Sequence, residues 1–135
     1  MELRVRQVMT AKPLALPAGT TLVDAAQVMR EHQVGDVLVF DYGLLQGIVG
    51  DREITVRSVA EGFDPSCTSL AEVCRRPLLS VTPDDTIEVA ADLMRQRGVS
   101  RLVVLDDGSA VGIVSLGDVA RFETKSELVR AGTAP

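Results

Sequence analysis

Tryptophan is absent from this chain, tyrosine occurs once and phenylalanine three times, so aromatics make up only 3% of the 135 residues. Nucleic-acid grooves are built from such rings interleaved with cations, and the cations are scarce too: 14 Lys and Arg stand against 19 Asp and Glu, a net charge of −5. That balance argues against a nucleic-acid or anionic-membrane partner, because both are held by clustered Lys and Arg that release counterions. Histidine occurs once, at His32, so one chain cannot supply a histidine-rich metal site or a pair of histidine bases. GxSxG, CxxC, HExxH and P-loop patterns are missing. The acid pairs Asp84–Asp85 and Asp106–Asp107 stand beside Pro and Gly and read as turns and helix starts. Cys67 and Cys74 read as two ordinary thiols of a reducing compartment. No apolar run approaches the roughly 20 residues of a spanning helix, and MELRVRQVMT lacks the apolar region of a secretory signal. The expectation is a cytoplasmic, non-catalytic protein.

What is present is a duplication. With 46% hydrophobic and 24% charged residues the composition is that of a soluble globular domain with a real core. The segment from Leu22 to Gly50 returns from Ile87 to Ser115: Ala25 and Ala26 reappear as Ala90 and Ala91, Met29 as Met94, and the GIV at Gly47 as the GIV at Gly112. Every pair is separated by 65 residues without a gap, which marks a repeated supersecondary unit.

Hydrophobic period organises each copy. Apolar residues at helical spacing predict helices over Thr21–Glu31 and Thr86–Gln96, with Thr21 and Asp24, and Asp85 and Glu88, at the spacing of a helix-start cap. Short apolar runs follow, Val37–Phe40 with Gly47–Val49 and Leu102–Leu105 with Val111–Val114, separated by turn residues and therefore read as hairpins. Helices are expected again over Asp51–Ala60 and Leu116–Leu128, and strand-like pieces at Leu14–Leu16 and Leu78–Val81 lie between prolines. The unit is β-α-β-β-α used twice, of α/β (α+β) class, and two copies related by an approximate twofold axis can bury their apolar faces as one cooperative domain.

VMT with Pro13, GIVGDREI, the connection VAEGFDP, SRLVVLDDG and GIVSLGDV together resemble a tandem pair of cystathionine β-synthase (CBS) domains, over about Val5 to Phe122. The resemblance implies two pseudo-twofold-related CBS repeats in one Bateman-type module. Its repeats fall at 1–62 and 71–128, with a connection at 63–70 and a disordered tail at 129–135. It implies a regulatory ligand such as AMP, ADP, ATP or another adenosyl compound, bound in the cleft between the repeats. No cofactor is required, and a homodimer and an effector protein are the implied partners. In GIVSLGDV the helix start offers free N–H groups to an anion. Ser115 can donate to a phosphate, and Asp118 can accept from the two ribose hydroxyls. Positions carried over from the family add Thr20, Ala25 and Val34, Gly35, Asp36 and Val37 as the adenine wall, Asp36 facing either the adenine amine or solvent. Arg101 is a phosphate ligand by the same resemblance, or else a surface arginine. Ser115 and Asp118 also have the spacing of a capping box, which alone could account for both residue types. In the first copy Gly50 replaces Ser115 and Glu53 replaces Asp118, so its cleft is expected to bind poorly or to accept something else. The alternative function is a structural dimerisation module without a physiological ligand. Apolar residues at Ile54, Val56 and Val59, and at Val119, Phe122 and Leu128, are the expected dimer surface.

Overall fold

The two threonines ahead of the amphipathic stretches set where the long helices begin. The computed structural model describes residues 2–75 and 78–122. Its elements are α1 (Val5–Val8), β1 (Thr10–Ala11), β2 (Ala15–Pro17), α2 (Leu22–His32), β3 (Asp36–Asp41), β4 (Leu44–Gly50) and α3 (Asp51–Ile54). Then come α4 (Leu70–Val73), β5 (Ser80–Val81), α5 (Ile87–Arg97), β6 (Arg101–Asp106), β7 (Ser109–Ser115) and α6, described over residues 116–122. Thr21 Oγ1 accepts from Asp24 N at 3.2 Å and Thr86 Oγ1 from Val89 N at 3.3 Å, so each threonine satisfies an N–H that the first helical turn leaves open. The second cap differs from expectation. Asp85 lies one residue too early to reach the helix and instead accepts from Thr82 N at 2.8 Å, closing the preceding turn.

Both hairpins close through two residues with positive φ, Tyr42 (52°) with Gly43 (76°) and Asp107 (51°) with Gly108 (83°). This turn matches the right-handed twist of its strands. The helix expected over Asp51–Ala60 begins as α3 but widens into a π-helical segment, Thr55–Val59, where Ala60 N donates to Thr55 O at 3.0 Å. In the connection, the hydroxyl and N–H of Ser66 both donate to the Asp64 carboxyl and hold it below the usual carboxylate range. Leu128 and the expected tail at 129–135 lie outside the described residues.

The chain divides into two compact units, and these are not the sequence repeats: one is Pro13–Leu78, the other Met1–Lys12 with Leu79–Pro135. In the first, β2 runs parallel to β3 and β3 antiparallel to β4, over a core of Leu22, Ala25, Met29, Val37, Val39, Val49, Leu70 and Val73. In the second the order is β1-β7-β6-β5, and Val5, Ile87, Ala90, Met94, Leu102, Val114 and Val119 form the core.

Reciprocal exchange explains the division. The head of the first repeat packs with the second: Val5 N donates to Asp85 O at 2.8 Å, Arg6 N to Pro83 O at 3.1 Å, and Ile87 N to Leu3 O at 3.1 Å. An ion pair from Arg6 to Asp84 joins the same segments. The head of the second repeat packs with the first: Leu70 N donates to Thr20 O at 2.9 Å, Ala71 N to Ala18 O at 3.0 Å, and Leu22 N to Thr68 O at 2.9 Å. Each backbone bond in one set is its counterpart in the other moved by 65 residues.

Two glycines admit the exchanged segments. A Cβ on Gly47 would lie 2.5 Å from Cys74 Sγ and 2.9 Å from Arg75 O, and one on Gly112 would lie 2.5 Å from Met9 Sδ and 3.0 Å from Thr10 O. The sulfur-bearing side chains could swing aside, but the carbonyls belong to backbone. Gly47→Ala and Gly112→Ala should each therefore cost about 1–3 kcal/mol of stability, the range for overpacking. Gly19→Ala, with nothing within 4 Å of its added carbon, should stay within about 0.5 kcal/mol. Urea unfolding midpoints of the three variants test this, and equal midpoints would show that the close approach carries no constraint.

Candidate functional site

The motif in the second repeat is assembled by one strand pair and the helix that follows it. Ser115 ends β7 directly across from Arg101, which begins β6. Leu116 N donates to Ser100 O at 2.8 Å and so turns the chain from β7 into α6. Ser115 N then donates to Asp118 Oδ2 at 2.9 Å, while Asp118 N donates to Ser115 Oγ at 3.0 Å. The expected capping box is therefore formed in both directions. Ser115, Asp118 and Arg101 are all half-buried, and Arg101 Nη1 donates to Ser100 Oγ at 3.3 Å. A hydroxyl, a carboxylate and a guanidinium thus border one helix start, the donor and acceptor set that an anionic sugar phosphate requires.

The first repeat reproduces the backbone but changes its chemistry. Gly50 ends β4 across from Asp36, the first residue of β3, and Asp51 N donates to Gly35 O at 3.2 Å. Glu53, only 7% exposed, accepts from Gly50 N at 2.8 Å. The longer side chain reaches the same N–H that Asp118 reaches, but Gly50 has no hydroxyl with which to answer Glu53.

The other residues expected at the site lie in the Pro13–Leu78 unit. Thr20 is half-buried and its carbonyl accepts from Leu70 N; Val34 is half-buried, packs on the core and donates from its N to Met29 O at 3.0 Å. Ala25 and Val37 are fully buried, so their side chains serve the core. Gly35 is exposed, and Asp36 directs Oδ1 toward Gly50. Sequence reasoning passed over Ser100, whose backbone and hydroxyl both hold the motif, although its 65-residue offset from Gly35 marks it.

Of the apolar residues expected at a dimer surface, Val119 is instead fully buried in its unit's core, and Ile54 and Phe122 pack partly against theirs. Val56 and Val59 are 47% and 62% exposed, joined by Phe63 at 46%. Among the described residues no helix is long and apolar enough to cross a membrane, and no group of three or more His, Cys, Asp or Glu is placed to hold a metal ion.

The chain is 36% identical over 130 residues to the CBS domain-containing protein YhcV of Bacillus subtilis, covering 96% of this chain and 91% of the relative. A crystal structure of hypoxic response protein I with two coordinated zinc ions superposes with a TM-score of 0.71 at 31% identity, over 88% of this chain and 98% of that one. A hexameric CBS-CP12 protein from bloom-forming cyanobacteria superposes with a TM-score of 0.82 at 26% identity, over 89% of this chain and 67% of the other. The CBS domain model matches residues 5–59 and again residues 70–125, the two copies that the 65-residue offset marks out, and the chain belongs to the CBS domain family.

Proposed function

We infer that this CBS pair is a regulatory module whose second-repeat motif binds an adenine nucleotide and passes its occupancy to a partner protein. CBS pairs are generally regulatory and non-catalytic. The observation that carries the reading is the grouping of Ser115, Asp118 and Arg101 at the start of α6. Gln7, Glu53 and Glu72 each accept from the N–H three residues earlier, as Asp118 does, so an acceptor at that position is a general device of this chain. Among the described residues, only at Ser115 is that acceptor joined by both a returning hydroxyl and a cross-strand arginine. In the proposed complex Asp118 exchanges its contact with Ser115 N for the ribose hydroxyls. Ser115 and the freed N–H meet a phosphate oxygen, and Arg101 supplies countercharge.

A second reading has its own support: the Ser115–Asp118 box is fully satisfied without a ligand, which is what a purely structural cap requires. Asp118→Ala distinguishes the two. The nucleotide reading expects a loss of about 2 kcal/mol or more, roughly 30-fold in affinity for AMP or ATP by calorimetry. The cap reading expects a lower Tm and no nucleotide binding in either protein.

Arg101→Ala should weaken ATP more than adenosine, because the chain's net charge of −5 repels polyphosphate unless local cations offset it. Parallel titrations read the difference, and equal losses would return Arg101 to a surface role.

The proposal includes a homodimer, with Val56, Val59 and Phe63 as the apolar face and an isologous twofold contact as its cover. Light scattering at micromolar concentration should give twice the chain mass of 14.4 kDa, and Val59→Glu should return it to one chain mass. A wild-type monomer would overturn this element, and a hexamer would show a different assembly.

A further inference from the structure

The two motif regions share a backbone and differ in charge. Gly35 O receives the first helical N–H of one, and Ser100 O that of the other. Around this common frame Asp36, Gly50, Asp51 and Glu53 occupy the places of Arg101, Ser115, Leu116 and Asp118. A Cβ on Gly50 would lie 2.5 Å from Asp36 Oδ1, 3.3 Å from Glu53 Oε1 and 3.1 Å from Gly35 O, while one on Gly35 would lie 3.8 Å from Asp51 Oδ2. Three carboxyl groups therefore converge on the Gly35–Gly50 backbone, where the second repeat sets one carboxyl and one guanidinium.

Two effects of Asp36 act in the same direction. Its carboxylate occupies the volume that a serine at position 50 would need, so a side chain there is admitted only if Asp36 rotates away. With Glu53 already accepting from Gly50 N, Asp36 brings a second carboxyl to the same residue, on the side where a Cβ would stand, and phosphate approaching that point meets like charge at short range. The backbone itself is no obstacle, because the second repeat forms the same strand-to-helix hydrogen bond with Ser115 and Arg101 in place.

We propose that Asp36 is a specificity-determining residue that closes the first-repeat motif to phosphate-bearing nucleotides by holding its carboxylate against Gly50. The inference rests on the nucleotide reading of Ser115 and Asp118, and its test keeps the two separable. ATP is titrated by calorimetry into the wild type, into Gly50→Ser/Glu53→Asp, and into the same double variant with Asp36→Arg. The expected stoichiometries are one, one and two per chain, the added site preferring ATP to adenosine by about tenfold or more. A second equivalent in the double variant, with Asp36 still present, would overturn the proposal, and so would a triple variant that stays at one. If the wild type binds none and the triple variant binds one, the reading of Ser115 falls while the role of Asp36 stands; if no protein binds, both fall. A ligand-free readout covers the case of poor folding: Gly50→Ala should lower Tm by about 5 °C in the wild type and by clearly less in an Asp36→Ala background. Equal shifts in the two backgrounds would overturn the steric basis of the closure.

Discussion

Each core of this chain depends on a segment that presses backbone against a glycine: Cys74 and Arg75 over Gly47, and Met9 and Thr10 over Gly112. The approach allows α4 to place Leu70 and Val73, both fully buried, in the core of the Pro13–Leu78 unit, and α1 to place Val5 in the core of the other. A four-residue helix has no stability of its own, because nucleation is costly and hardly a turn can be completed. α1 and α4 are therefore held by their docking, through Val5 N and Arg6 N in one unit and Leu70 N and Ala71 N in the other. Neither sequence repeat can complete a core from its own residues. Each core therefore takes a segment from both copies, which ties the packing of one repeat to the presence of the other.

The polar chemistry follows from that frame. Among the described residues four helix starts use one device, an acceptor three residues along that takes the N–H of the residue before the helix: Gln7, Glu53, Glu72 and Asp118. Helix starts leave N–H groups open, so the device recurs wherever a short helix must begin sharply. At the two motif positions the strand partner gives it different surroundings. Arg101 lies across from Ser115, and Asp36 across from Gly50. Duplicated backbones have in this way come to carry opposite charge at equivalent points.

The long amphipathic helices and both hairpins were legible in the residues, since a 3.6-residue period and a two-residue turn with glycine are local signals. α1, β1 and α4 were not, because two to four residues carry no period. Their trace was the offset, which extends to Val5 with Leu70 and Val8 with Val73. The π-helical segment was invisible for another reason: Thr55–Val59 reads as ordinary helix, and packing carries Ser58 into full burial. Val119 had the helical spacing expected of a surface stripe, yet it belongs to a core, since spacing identifies a face without identifying what covers it.

By itself the sequence determined the duplication, the β-α-β-β-α content of each copy, the family, and the inequality of the Ser115 and Gly50 positions. Those properties reside in residue identity and short-range period, and they survive without coordinates. Only the tertiary structure decided that packing units cross repeat boundaries, that Ser115 and Asp118 bond in both directions, and that Asp36 directs its carboxylate at Gly50. Each of these depends on strand register and on how near two segments distant in sequence can come, and both are set by packing, which no local pattern of residues records.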